Sequence, residues 1–269
     1  MLKSKTPISY YGGKQMLASK IIKLIPKHKL YVEPFFGGGA VFFAKEKSEV
    51  EIINDLNLNV INFLQVCKNK ALFSSLKYKV RNSHYSRHTY EKSKLIIKNA
   101  KLFNAIDRAF CFWFNINFSF NNALNGGFRH SKNAKEQKKI NSKKLAFNSW
   151  IHKRLNSVEI EHLNALTVIK RRDCIDAFFY LDPPYIGANQ GHYAGYKSQD
   201  FNNLLELLEN IKAKFLLSCY MTNELKKYIK KNNWYLKKKE THLHSSRVKN
   251  RKKIECFVAN YDLGGVYET

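Results

Sequence analysis

One eight-residue stretch, Phe178 to Tyr185, limits the folds open to this chain more than any other. It begins with an apolar run of strand-forming residues and ends in Asp182-Pro183-Pro184-Tyr185. Two consecutive prolines end a strand and fix the backbone of the next turn. The sequence therefore predicts a rigid turn at the carboxyl end of a strand, which is where open α/β sheets bind ligands.

The turn carries groups that suit chemistry on the exocyclic amino group of a nucleobase. Such a group is a poor nucleophile because its lone pair is delocalised into the ring. Asp182 and the Pro183 carbonyl can each accept one N–H bond, which favours the polarised nitrogen formed during attack, and Tyr185 offers a ring for stacking. The alternative is a structural Pro-Pro turn with an aspartate cap, because prolines often follow strands.

Length, charge and cysteine content narrow the class of protein. The 269 residues suffice for one large domain or two small ones, and the formal net charge of +26 favours a polyanionic partner over mere surface decoration. The five cysteines form no C-x-x-C pair, which argues against a disulfide framework or a zinc site. Neither a signal core nor a membrane-spanning run is present, so we expect a cytoplasmic protein.

Three segments near the amino terminus suggest a ligand site. Residues 10–14 (Tyr-Tyr-Gly-Gly-Lys) precede a helical pattern over 16–25, and residues 33–39 (Glu-Pro-Phe-Phe-Gly-Gly-Gly) join a strand to a helix. Glycines let the backbone approach a ligand, and helix amino termini present free N–H groups. A second predicted strand ends in Asn-Asp-Leu-Asn, where Asp55 can bind ribose hydroxyls or cap the next helix.

The α/β alternation stops between residues 61 and 164. A stretch rich in asparagine, aromatic residues and glycine runs from 115 to 129 beside basic residues, which suits base-edge and phosphate contacts; the alternative is a helical subdomain with an ordinary loop. The apolar run 166–169 then predicts a strand that leads to Asp173 and Cys174. A basic run at 245–253 suits either phosphate binding or a solvated hairpin.

Four motifs in this order resemble those of Dam-type (D12 class, alpha group) DNA adenine N6-methyltransferases: residues 10–14, 33–39, 54–57 and 182–185. The resemblance implies an α/β, class I S-adenosylmethionine-dependent methyltransferase with a Rossmann-like sheet flanked by helices. It implies a catalytic domain over 1–60 and 165–269 and an inserted, mostly helical target-recognition domain over 61–164. The implied reaction transfers the methyl group of S-adenosylmethionine to N6 of an adenine flipped out of duplex DNA.

The resemblance also implies roles for single residues, and it implies no metal. The catalytic set is Asp182, Pro183, Pro184 and Tyr185. The cofactor-binding set is Tyr10, Lys14, Pro34, Phe35, Gly37, Gly39, Asp55, Asp173, Cys174 and Asp182. The DNA-binding set is Phe120, whose ring would stack or wedge near the flipped base, Asn121 and Arg129. Asn117 stands where the family pattern Arg-Phe-Gly-Tyr-Asn has arginine, so the target need not be GATC.

The implied partner is double-stranded DNA, with a cognate restriction endonuclease as a candidate second partner, in a bacterial or phage-infected cell. Two alternatives stay open. The first is an RNA base amino-group methyltransferase, against which the amino-terminal motif and the long insert argue. The second is a catalytically inactive DNA-binding relative, against which Asp182 and the intact glycine loop argue.

Overall fold

The computed structural model describes residues 6–10, 12–122, 124, 126–130, 133–186, 195–242 and 252–264. The chain divides into two compact units. The first comprises Met1–Ser19, Gly37–Glu46 and Asp55–His162, and the second comprises Lys20–Phe36, Lys47–Asn54 and Leu163–Thr269. The bounds of these compact units differ from those of the predicted functional domains, because Gly37–Glu46 and Asp55–His162 both belong to the first unit. The assignment of target recognition to residues 61–164 stays a prediction.

Helices dominate the first unit and alternate with strands in the second. In the described part of the chain the helices are α1 (Ala18–Ile22), α2 (Ala40–Ala44), α3 (Leu58–Lys68), α4 (Lys70–Asn82), α5 (Arg87–Lys98), α6 (Ala105–Phe118), α7 (Ala134–Ala146), α8 (Ser149–Leu155), α9 (Ala165–Arg172), α10 (Ser198–Glu209) and α11 (Asn223–Asn232). The strands are β1 (Leu30–Glu33), β2 (Val50–Asn54), β3 (Glu159–Glu161), β4 (Ala177–Leu181), β5 (Lys214–Cys219), β6 (Tyr235–His242) and β7 (Lys252–Ala259). None of these helices is long and apolar enough to cross a membrane.

The abundant asparagines start many of these helices. The side chains of Asn57, Asn69, Asn104, Asn148 and Asn164 accept hydrogen bonds from backbone N–H groups in the first turns of α3, α4, α6, α8 and α9. An asparagine cap satisfies a donor that the helix itself leaves free.

An aromatic core organises the first unit around α6. Trp113 is fully buried and makes edge contacts with Phe118 and Phe147. Its indole N–H also donates to the Pro7 carbonyl at 3.0 Å. The buried Asn117 side chain accepts a hydrogen bond from the Ser9 N–H at 3.1 Å, so α6 anchors the segment that leads into the first glycine motif.

The six strands described in the second unit belong to a mixed sheet, in which they follow the order β2-β1-β4-β5-β7-β6. β2, β1, β4 and β5 are parallel neighbours, whereas β7 runs antiparallel to both β5 and β6. Every residue of β4 is buried, as expected for a central strand covered on both faces. The confirmed α/β architecture is Rossmann-like: a parallel sheet flanked by helices, closed by an antiparallel hairpin.

The predicted strand at 166–169 is wrong, because these residues lie in α9. The Asn164 side chain accepts the Leu166 N–H at 2.9 Å and starts the helix. Val168 and Ile169 then pack into the buried core of the second unit, one turn from Ala165. A four-residue apolar run fits a strand or a buried helix equally well, and here the cap and the packing decide for the helix.

Candidate active site

The predicted catalytic turn lies at the carboxyl edge of the parallel strands in the second unit. β1 ends at Glu33 and is followed by Pro34, and β4 ends at Leu181 and is followed by Asp182. Because β1 and β4 are parallel neighbours, their carboxyl ends meet at one edge of the sheet. Pro34, Phe35 and Asp182 therefore share the edge at which open α/β sheets bind ligands.

A row of polar side chains crosses one face of the sheet beside this edge. The register pairs Tyr180 with Leu216 and Ser218 with Phe257. Since side chains alternate along a strand, Tyr180, Ser218 and Glu255 point to the same face. All three are buried.

Carboxylates make this edge electrically negative. The buried Glu33 accepts a hydrogen bond from the Tyr31 hydroxyl at 2.7 Å. Burial, and then the charges of Asp182, Glu33 and Glu255, raise the pKa of the Tyr180 hydroxyl well above its ordinary value. Three carboxylates around one buried phenol favour a ligand that carries or develops positive charge.

Hydrogen bonds hold the hydroxyl group of Tyr185, the last residue of the turn. Its hydroxyl donates to the Glu255 carboxylate at 2.5 Å and lies 2.9 Å from the Ser218 hydroxyl. The ring meets Tyr220 edge-on, with centroids 4.5 Å apart and an interplanar angle of 71°. Burial, together with the charges of Asp182 and Glu255, raises the pKa of the Tyr185 hydroxyl, so it stays protonated and remains a donor.

In the first unit, Asp55 presents a buried carboxylate bound by backbone amides. Its Oδ2 accepts the Gly37 N–H at 2.7 Å and its Oδ1 accepts the Asn57 N–H at 2.8 Å. Burial raises the pKa of Asp55 to about 6 despite these hydrogen bonds. The cap of α3 is Asn57 rather than Asp55, which removes the helix-cap alternative. A carboxylate oxygen can accept more than one hydrogen bond, so Asp55 can still bind hydroxyl groups of a ligand.

Tyr10 packs into the glycine loop of the first unit. A Cβ atom at Gly38 would lie 2.8 Å from the Tyr10 Cβ, so the close approach requires glycine. The Tyr10 hydroxyl accepts the Asn57 side-chain N–H at 3.2 Å. Gly39, at φ 62°, directly precedes α2. The ammonium group of Lys14 lies 3.3 Å from the Gly12 carbonyl. The first unit thus contains five of the predicted cofactor-binding residues: Tyr10, Lys14, Gly37, Gly39 and Asp55.

The structure separates Asp173 and Cys174 from the other predicted cofactor residues of the second unit. Asp173 follows α9 and accepts the Lys212 and Ala213 N–H groups, each at 2.9 Å. Those amides precede β5, and the Cys174 carbonyl accepts the N–H of Ala177, the first residue of β4. Both residues therefore lie at the amino edge of the sheet, opposite Asp182. Their assignment to the cofactor site is a wrong prediction.

Asn54 and Leu163 contribute to the carboxyl edge in a way that the sequence did not predict. The Asn54 side chain accepts the Leu163 N–H at 2.8 Å and donates to the Leu163 carbonyl at 3.0 Å and to the Pro34 carbonyl at 2.9 Å. One buried amide thus fixes two backbone segments beside the ends of β1 and β2. The Asn164 cap directly after Leu163 was a sequence signal for this turn.

A short antiparallel pairing holds the predicted DNA contacts of the first unit. Ser119 bridges Phe128, and the Arg129 N–H donates to the Phe118 carbonyl at 2.9 Å. Phe120 is 65% exposed beside this bridge, so its ring is accessible to a ligand. The Arg129 guanidinium donates to the Asn122 side chain at 3.0 Å.

Some predicted features lie outside the described residues. They are the Asn121 side chain and most of the basic run at 245–253. Residues 187–194, a glycine-containing stretch that follows the turn in the sequence, also lie outside the described residues. Within the part that the structure describes, no group of three His, Cys, Asp or Glu side chains is placed to hold a metal ion.

The strand order and the Asp-Pro-Pro-Tyr turn define a Rossmann-like methyltransferase. Residues 10–250 match the family model of the D12 class N6 adenine-specific DNA methyltransferases. The chain belongs to this family and is therefore an enzyme of adenine-specific DNA methylation, as the resemblance of its motifs implied.

Characterised relatives agree with this family. The chain is 28% identical to the type II methyltransferase M.MjaIII of Methanocaldococcus jannaschii, over 73% of this chain and 74% of the relative. It is 25% identical to M1.LlaDCHI of Lactococcus lactis subsp. cremoris, over 93% of each. It is 26% identical to M.FokI of Planomicrobium okeanokoites, over 82% of this chain but only 36% of that relative's length.

Proposed function

We propose that this enzyme uses S-adenosylmethionine to methylate N6 of a specific adenine that has been extruded from duplex DNA. The observation that carries the proposal is the Asp-Pro-Pro-Tyr turn at the carboxyl edge of β4, with Asp182 next to the strand and the Tyr185 ring fixed by hydrogen bonds. S-adenosylmethionine supplies an electrophilic methyl group on a sulfonium centre, and the protein supplies position and electrostatics.

Asp182 and the Pro183 carbonyl prepare the nucleophile. Each accepts one N–H of the adenine amino group, which draws the nitrogen lone pair out of conjugation as the nitrogen attacks the methyl carbon. The nitrogen–carbon bond forms as the carbon–sulfur bond breaks, and the surplus proton passes from nitrogen to water. The negative edge formed by Asp182, Glu33 and Glu255 favours the positive charge that develops on the amino group.

Each unit offers groups that fit the methyl donor. In the first unit, the buried Asp55 suits ribose hydroxyls, and Tyr10, Lys14, Gly37 and Gly39 lie in the same unit. In the second unit, Pro34, Phe35 and Asp182 remain proposed contacts, because they share the carboxyl edge.

DNA contact is proposed for both units. Tyr185 offsets part of the cost of unstacking the base, which is about a few kcal/mol. Phe120, Asn121 and Arg129 are proposed recognition contacts within residues 61–164. The net charge of +26 supports binding to the phosphate backbone. We also propose a cognate restriction endonuclease as partner, because three relatives are named type II methyltransferases. A cytoplasmic site of action is proposed as well.

The test is methylation of unmethylated genomic DNA with S-adenosylmethionine, followed by single-molecule sequencing of modified bases. We expect N6-methyladenine in one short motif, with a rate roughly 100-fold or more lower in Asp182→Ala. Asp176→Ala removes an exposed aspartate from the amino edge and should leave the rate unchanged. A folded, cofactor-binding protein that modifies structured RNA but not DNA would refute the proposal.

A further inference from the structure

Glu255 lies far along the chain from every motif, yet its side chain contacts the catalytic turn. One carboxylate oxygen accepts hydrogen bonds from Tyr185 at 2.5 Å and from the Ser218 hydroxyl at 2.8 Å. We propose that Glu255 and Ser218 are positioning residues that hold the Tyr185 ring in the orientation needed to stack on the extruded adenine. This inference rests on the stacking role proposed above for Tyr185.

The geometry leaves the ring little freedom. The two prolines fix the backbone that enters Tyr185, and the edge contact with Tyr220 limits one side of the ring. The hydroxyl at the opposite end is bound by Glu255 and lies beside Ser218, so both ends of the side chain are constrained. A hydrogen bond to an ionised acceptor is stronger and shorter than one between neutral groups.

The sheet topology brings these residues together. β7 is antiparallel to β5, and Cys219 at the carboxyl end of β5 pairs with Cys256 of β7. Glu255 precedes Cys256, so an early residue of β7 reaches the carboxyl edge and the face that carries Ser218.

A buried carboxylate is poorly explained by stability alone. Glu255 is 6% exposed in a strand whose next four residues, Cys256 to Ala259, are buried apolar ones. Removing a carboxylate from water costs free energy, and well-packed apolar residues often replace buried charged groups without loss of stability. Positioning of Tyr185 gives this side chain a function that an apolar residue could not perform.

The experiment measures single-turnover methylation of duplex DNA by Glu255→Leu, Ser218→Ala, Tyr185→Phe and the double variant Glu255→Leu/Tyr185→Phe. Leucine keeps most of the volume but removes the acceptor, and phenylalanine removes only the donor. Glu255→Gln keeps a neutral acceptor and serves as the conservative variant. Glu206→Leu makes the matched change on the exposed face of α10. Tm and the cofactor Kd are measured for each protein.

We expect Glu255→Leu and Tyr185→Phe each to slow methylation roughly 10- to 100-fold, with Tm and the cofactor Kd close to wild type. Glu255→Gln should restore part of the methylation rate that is lost in Glu255→Leu. The control variant Glu206→Leu should methylate at the wild-type rate. Because Glu255 acts through the Tyr185 hydroxyl, the double variant should be about as slow as Tyr185→Phe alone. Fluorescence of 2-aminopurine at the target position should show a less stacked extruded base in each slow variant.

Three outcomes would overturn the inference: a wild-type rate in Glu255→Leu, losses that multiply in the double variant, or a rate loss accounted for by lower Tm and weaker cofactor binding. Tyr185→Ala separates this failure from that of the stacking role. If Tyr185→Ala is fast, the stacking role and the inference both fail. If it is slow while Glu255→Leu and Tyr185→Phe are fast, only the inference fails.

Discussion

Gly38→Ala should destabilise the protein by overpacking Tyr10. The added methyl group would lie 2.8 Å from the Tyr10 Cβ, about an ångström closer than ordinary carbon contacts, and 3.6 Å from the Ile8 carbonyl oxygen. A Cβ atom is attached directly to the backbone and cannot rotate away. The backbone of the loop or of Tyr10 must move, at a cost of about 1–3 kcal/mol. For a chain of this size that corresponds to a fall in Tm of roughly 2–5 °C.

Thermal unfolding followed by circular dichroism measures this change, and Gly127→Ala is the matched control. A Cβ atom at Gly127 meets no atom within 4 Å, so that variant should stay within about 0.5 kcal/mol of wild type. Since Tyr10 is a proposed cofactor contact, titration calorimetry of Gly38→Ala should also show a weaker affinity for S-adenosylmethionine. Equal stability of the two variants would refute the close-packing explanation of Gly38.

Two further predictions test the ribose role of Asp55 and the exclusion of Asp173 from the cofactor site. The pKa of Asp55 is raised from 3.8 to about 6, so binding of S-adenosylmethionine should weaken roughly tenfold for each pH unit below 6 in calorimetric titrations. Between pH 3.8 and about 6, Asp55 is protonated in the folded chain but ionised in the unfolded chain. Its contribution to the stability of the ligand-free protein is therefore present at low pH and is lost as the pH rises through 6. An affinity for S-adenosylmethionine that stays constant from roughly pH 4.5 to 7 would contradict the ribose role. Asp173→Asn should lower the free energy of unfolding by about 1–2 kcal/mol, because an amide NH2 group replaces the carboxylate oxygen that accepts the Lys212 N–H at 3.1 Å, while cofactor affinity stays unchanged. A large loss of affinity at equal stability would return Asp173 to the cofactor site.

The Asp-Pro-Pro-Tyr turn was predictable because several local signals agree. A central parallel strand is buried on both faces, so β4 is a continuous apolar run in the sequence, and the two prolines mark its end. The glycine loop and Asp55 were also predictable, since a strand, a turn and an acidic residue follow each other at short range. The sequence could not show that Gly38 serves the packing of Tyr10, because that contact joins residues 28 positions apart.

The error at Asp173 follows from the error at 166–169. If those residues formed a strand, Asp173 would stand at its carboxyl end, with the other ligand residues. Residues 166–169 instead lie in α9, which leads into β4. Asp173, the residue after α9, therefore lies at the amino end of β4. Because residues 166–169 are helical, Asp173 lies at the edge of the sheet opposite to the one that a strand would predict.

The position of the Tyr185 ring depends on β7, the last strand along the chain. Tyr185 and Glu255 are 70 residues apart, and no local pattern links them. Only an antiparallel final strand brings its early residues to the carboxyl edge; in a parallel strand Glu255 would lie near the opposite edge. The β6–β7 hairpin thus also places the Glu255 carboxylate, the hydrogen-bond acceptor that we propose to orient Tyr185. A catalytic motif read from eight residues of sequence is completed by contacts that only the tertiary fold can make.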